Sequence, residues 1–162
     1  MELYKQEEDR FPIQLTYANF WTRFIAFLID SFLTSLILAL VLLGLGLPLV
    51  PDVTDIESQM KLNLLSVAVG WLYYASFESS SYQATPGKQA MGLFVTDTGG
   101  YRVTFSRASG RYFSKLLSGL LLLLGYIMAA FTPRRQALHD LIAGTLVLKH
   151  PANGGRRNIH AP

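Results

Sequence analysis

The stretch "WTRFIAFLIDSFLTSLILALVL", from Trp21 to Leu42, constrains this chain more than any other. A bilayer core of roughly 30 Å is crossed by about 20 helical residues. The run is long enough, and its only charges are Arg23 and Asp30. Each is expensive in lipid, an aspartate near mid-span costing roughly 2.5–3.5 kcal/mol on insertion scales. A fold built on this helix must bring polar partners to it from elsewhere.

The composition alone, 51% hydrophobic over 162 residues, does not decide the class, but the distribution does. Apolar residues gather in three blocks, Phe20 to Val50, Leu62 to Tyr82 and Leu116 to Phe131, with polar residues between them. The first predicts a span near Phe24 to Leu43, loosened at its end by Gly44, Gly46, Pro48 and Pro51. The second predicts a span near Leu62 to Ser81. The third reaches spanning length only with Arg111 to Ser114. Nineteen residues, Glu2, Glu7, Glu8 and Asp9 among them, precede the first block. That start is unlike a cleaved signal peptide, so the first span is expected to be retained. The expected fold is an all-α integral membrane protein, a small transmembrane bundle with a short cytoplasmic β-hairpin. Residues 1–19 form a polar tail, 20–149 the transmembrane domain and 150–162 a disordered tail.

Loop charges orient the chain. "PDVTDIESQMK" holds three acids and one lysine and reads as external, which places the N-terminus in the cytoplasm. The next polar segment carries Lys88, Arg102, Arg107 and Arg111, with no acid between Glu78 and Asp97, and belongs inside. Within it, Met91 to Thr96 and Tyr101 to Phe105 alternate like strands around a turn at Asp97 to Gly100, a hairpin pattern. "TPGK" at Thr85 to Lys88 lacks the second glycine and the hydroxyl residue of a phosphate loop, so a tight Pro-Gly turn is expected. The third block leaves two paths open. A single crossing would put the basic C-terminal residues outside, against the charge rule. A bend at Ser118-Gly119 would return the chain as a re-entrant pair and keep the C-terminus inside, which the charges favour. Ala137, Leu138, Leu141 and Ile142 then predict an interfacial helix, and Thr145 to Leu148 a strand joining the hairpin.

Arg23 and Asp30 lie two helical turns apart, roughly 10 Å along one face that also holds Ala26 and Thr34. Arg23 can reach the headgroups, but Asp30 is too deep and too short. Arg111, Lys115, Ser118, Leu122, Gly125 and Ala129 make a second face, basic at its start and small further on; Ser66 and Gly70 make a lesser one. A polar network of Arg23, Asp30, Glu78, Arg111 and Asp140 is the expected candidate site. It could fix helix register, or it could bind a proton or cation. Glu78 and Lys115 also fit interfacial anchoring, and His139 beside Asp140 fits a solvated helix face or an interface contact better than a metal site.

No nucleophile stands beside a base, so the chain is expected not to be an enzyme. No cofactor is expected, and the absence of cysteine excludes disulfides and thiolate metal sites. The basic residues lie at block edges rather than along one helix, so nucleic acid is not an expected partner. The expected partners are the lipid bilayer, a second copy of the chain, another membrane protein, and protons or monovalent cations.

Three segments, "FWTRFIAFLID", "ESSSYQATPGKQAMGLFVTD" and "GRYFSKLLSGLLLLLGYIMAAFTPRRQALHDLIAGTLVL", together resemble the RDD family of membrane proteins, named for one arginine and two aspartates. The resemblance runs from Phe20 to Leu148 and assigns the trio to Arg23, Asp30 and Asp140. It implies a small multi-pass protein of the cell membrane, often three-span. Within the family, exchange of monovalent cations for protons and roles in membrane assemblies have both been proposed. The emphasis on Asp140 comes from the resemblance.

Overall fold

The computed structural model describes residues 16–50, 52, 54–120, 128 and 132–150. The polar N-terminal tail up to residue 15 and the C-terminal tail from residue 151 lie outside the described residues. So does most of the third apolar block.

Strand β1 (Thr16–Tyr17) leads into α1 (Phe20–Gly44). Asn19 caps the helix, its side chain accepting from the Thr22 N–H. The helix is buried only at Ala26, Asp30 and Leu42, while Trp21, Phe27, Leu28, Phe32 and Leu40 are exposed. A soluble core helix would cover such side chains. Among the described residues α1 is the one helix both long and apolar enough to cross a membrane.

Helix α2 (Ile56–Ser79) starts at Asp55, whose carboxylate accepts from the backbone of Glu57 and Ser58. It is followed by a one-turn helix α3 (Pro86–Ala90), strand β2 (Leu93–Asp97), helix α4 (Phe105–Leu120), short helix α5 (Leu138–Ala143) and strand β3 (Thr145–Lys149). Tyr112 of α4 donates its hydroxyl to the Val67 carbonyl of α2 at 3.1 Å. The Trp71 indole donates to Ser109 at 2.9 Å. The backbone stays helical through Ser118 and Gly119, where a bend was one of the two expected paths.

The expected hairpin is not the sheet that forms. The turn at Asp97 to Gly100 is present, with Asp97 accepting from Gly99 and Tyr101. However, Tyr101 to Phe105 contributes only an isolated bridge, Thr96 to Arg102. Thr104 accepts from the backbone of Arg107 and Ala108 and so begins α4 before a strand can extend. β2 pairs instead with β3, antiparallel, with Phe94 opposite Leu148 and Thr96 opposite Leu146. β1 pairs on the other side of β3, giving the order β1-β3-β2. The expected strand at Thr145 is therefore central rather than added to a hairpin. The sheet ties together segments that precede α1, follow α2 and follow α5.

Leu93, Val95, Val103, Ala108 and Val147 form the core with Ala18, Ala26 and Ala75. This sheet core abuts the N-terminal end of α1, and the polar site lies beside it.

Candidate functional site

Five helices each send charged side chains to one buried cluster. Arg111 of α4 is its centre and is 1% exposed. Its Nε and Nη2 donate to Asp140 Oδ1 at 3.0 and 2.7 Å, and its Nη1 to Glu78 Oε2 at 2.7 Å. The guanidinium fork thus holds α2 and α5 at once, which a lysine could not do. Glu78 Oε1 accepts from Lys88 of α3 and, at 3.5 Å, from Lys115. Lys115 also stacks over the Tyr74 ring at 3.9 Å.

Asp140 is wholly buried and saturated. Besides Arg111 it accepts from Arg23 Nη1 and from the backbone N–H of Ala137 at 3.1 Å. The last bond caps the first turn of α5. Burial alone would raise its pKa, but Arg111 and Arg23 outweigh this and hold the carboxyl well below the usual carboxylate range. His139 is 4% exposed, so of its two expected placements, a solvated face or an interface contact, the solvated face does not hold. Burial lowers its pKa well below the ordinary histidine value despite Asp140, so the ring is neutral near pH 7.

Asp30 is separate from this cluster. Its carboxyl group is 1% exposed and has no arginine or lysine in ion-pair range among the described residues. Three uncharged donors converge on it. The Tyr73 hydroxyl reaches Oδ1 at 2.8 Å, the Thr85 hydroxyl Oδ2 at 2.6 Å and the Gly87 N–H Oδ1 at 2.8 Å. The "TPGK" segment is therefore more than a tight turn. It is the start of α3, laid against α1 between Ala26 and Asp30. A Cβ at position 87 would lie 2.3 Å from the Ala26 carbonyl oxygen and 2.7 Å from Asp30 Cγ, so only glycine fits. Lys88, next in the chain, turns to Glu78 and links the Asp30 clamp to the ion cluster.

Of the expected network, Arg23, Glu78, Arg111 and Asp140 come together and Asp30 joins it only through α3. Glu78 and Lys115 are not interfacial anchors: Glu78 is 1% exposed and Lys115 bonds to it. Arg23 is bound to Asp140 and to the Ala18 carbonyl rather than reaching out to headgroups alone. Sequence reasoning missed Tyr73, Thr85, Gly87 and Lys88. Only the conjunction of a Pro-Gly turn with an unpaired aspartate in the first span pointed to them.

The RDD family matches the chain over residues 17–144. Uncharacterized protein YxaI of Bacillus subtilis (strain 168) is 33% identical over 146 residues, covering 81% of this chain and 96% of its own length. Uncharacterized membrane protein YteJ of the same organism is 31% identical over 146 residues, covering 82% of this chain and 80% of its own. No solved structure matches significantly.

Proposed function

The chain belongs to the RDD family of proteins, and we propose that it is a non-enzymatic, multi-pass protein of the cell membrane that acts as a scaffold or assembly factor. In this reading the buried polar cluster holds the helix bundle in register. The cytoplasmic sheet and loop face a partner protein. The family and the membrane-named relative support a membrane location. For α2, the sixteen residues from Leu62 to Phe77 carry no charge and span about 24 Å as a helix. Glu57 and Lys61 can reach the external surface.

The sheet supports the orientation. β1, β2 and β3 pair in one layer, which supports a shared side of the membrane for the segments that carry them. Two antiparallel crossings by α1 and α2 satisfy this. With the acids Asp52, Asp55 and Glu57 in the loop between α1 and α2, the charge rule favours a cytoplasmic sheet side. The chain has no cysteine, so single cysteines can be placed freely. Tyr101→Cys and Lys149→Cys should both be labelled by a membrane-impermeant maleimide only after the cells are opened, and Thr54→Cys before. Labelling of Lys149→Cys in intact cells would refute the shared side.

One observation favours a scaffold over cation/proton exchange. Asp30, the acid of α1, already has both oxygens engaged by uncharged donors, three in all, which suits a structural clamp. The exchange reading keeps Glu78, where Lys115 is the loosest of three cations. Proteoliposomes separate the two. Reconstituted protein should give no pH-dye response to added sodium, potassium or lithium beyond empty liposomes. A response that disappears in a folded Asp30→Asn variant would replace the scaffold reading with exchange.

A further inference from the structure

Arg23 has a donor to spare. Its Nε and Nη1 are engaged, but Nη2 is buried with no hydrogen-bond partner among the described residues. A buried charged donor left unmade is costly, so such an atom marks a missing acceptor. The side chain is 13% exposed, which puts it at the edge of the cluster.

Arg134 and Arg135 are exposed on the turn that leads into α5, and the charge of Arg135 acts on Arg23. The turn is firmly fixed. Arg135 donates its N–H to the Thr132 carbonyl at 2.9 Å, Gln136 its N–H to Thr132 Oγ1 at 2.7 Å, and the Gln136 amide reaches Thr145 at 3.0 Å. Arg135 itself sits at φ 49°, a left-handed backbone that a residue with a side chain adopts only when held there.

The charge balance points the same way. Arg23, Lys88, Arg111 and Lys115 share Glu78 and Asp140; with Asp30 counted the cluster has four cations to three acids, though Arg23 and Lys115 are only partly buried. One added negative charge would balance it. The neighbourhood also has an interfacial character. Trp21 is 68% exposed, and it packs with Phe20 and Phe24 at the start of α1. Aromatic residues of this kind sit at headgroup depth.

We infer that Arg23, Arg134 and Arg135 form a binding site for a singly charged phosphodiester, supplied by the headgroup of an anionic phospholipid. The phosphate would accept from Arg23 Nη2 and pair with the two turn arginines, as guanidinium groups do with phosphate oxygens. The lipid source rests on the membrane reading above.

The test uses the full chain in an uncharged detergent, followed by the fluorescence of its two tryptophans, Trp21 and Trp71. It is titrated with short-chain phosphatidylglycerol, with phosphatidylcholine of the same chain length, and with inorganic phosphate. Saturable binding of phosphatidylglycerol is expected, at least about tenfold tighter than phosphatidylcholine. Arg134→Gln with Arg135→Gln should weaken it about tenfold, the loss of one charge-assisted hydrogen bond. That pair is exposed, so folding is not at stake. Arg23→Lys, which keeps the charge and removes Nη2, should weaken it too. If inorganic phosphate displaces the lipid at equal affinity, the anion site stands and its natural ligand is free phosphate. Equal affinity for the two lipids, or binding indifferent to the double substitution, overturns the proposal. Whether the protein stays in carbonate-washed membranes tests the membrane reading separately.

Discussion

Arg111→Met is expected to destabilise the protein by about 3–5 kcal/mol, the range for removing one partner of a buried ion pair, and to leave little of it in the membrane. The size follows from what is left behind. Methionine fills much of the volume but returns no hydrogen bonds. Asp140 Oδ1 would lose both its donors from Arg111, and Glu78 would keep only its two lysines. Both carboxylates are at most 1% exposed, so water cannot replace the guanidinium. Arg111→Lys should recover less than half of the loss, because one ammonium cannot bridge the two acids as the fork does. Adding Glu78→Gln and Asp140→Asn to Arg111→Met should restore part of the stability, since it removes the stranded charges. Thermal unfolding in detergent, with membrane abundance, reads all three. A wild-type midpoint for Arg111→Met would mean that the cluster is peripheral to folding and would remove the basis of the scaffold reading.

Much of this architecture was legible because membrane insertion leaves a strong mark. The long run of α1, its two charges and the acidic loop after it follow from simple lipid energetics. The gathering of Arg23, Glu78 and Arg111 was legible for the same reason, since charges near spans need partners. Asp140 was not. Its importance depends on Ala137 to Ala143 folding back onto α4, and nothing in the local pattern announces that contact. The sheet was hidden by a different cause. β1 is two residues long, and its pairing with Lys149 and Leu148 joins positions more than 130 residues apart. No periodicity can show such a strand. At Tyr101 to Phe105 an alternating pattern was overruled by one threonine, because Thr104 satisfies the first N–H groups of α4. The partner of Asp30 was misjudged because opposite charge is the obvious complement to an acid. Two hydroxyls and a backbone N–H do the same work without a second desolvated ion.

That last arrangement gives the sharpest contrast between neighbouring substitutions. Asp30→Leu should be severe and Asp30→Asn mild. Leucine strands the Tyr73 and Thr85 hydroxyls and the Gly87 N–H, each buried donor costing about 1–3 kcal/mol when left unmade. Asparagine keeps a carbonyl oxygen for Tyr73 and Gly87. Its amide can donate to Thr85, whose hydroxyl is free to turn and accept. Gly87→Ala should resemble Asp30→Leu, because the added methyl meets the Ala26 backbone at 2.3 Å and drives α3 off α1. Overpacking of this kind costs about 1–3 kcal/mol, and here it also breaks two of the three bonds to Asp30. The two lesions therefore share their effect. Combining Gly87→Ala with Asp30→Leu should cost at least about 1 kcal/mol less than the sum of the singles, the behaviour of residues in one network. Gly110→Ala is the control: nothing lies within 4 Å of its added methyl, and alanine favours the helix, so stability should be unchanged or higher. Unfolding midpoints of the five variants decide the matter. Strict additivity would show that Gly87 and Asp30 act independently. If Asp30→Asn proved as severe as Asp30→Leu, the charge of Asp30 rather than its two acceptor oxygens would be what the fold requires.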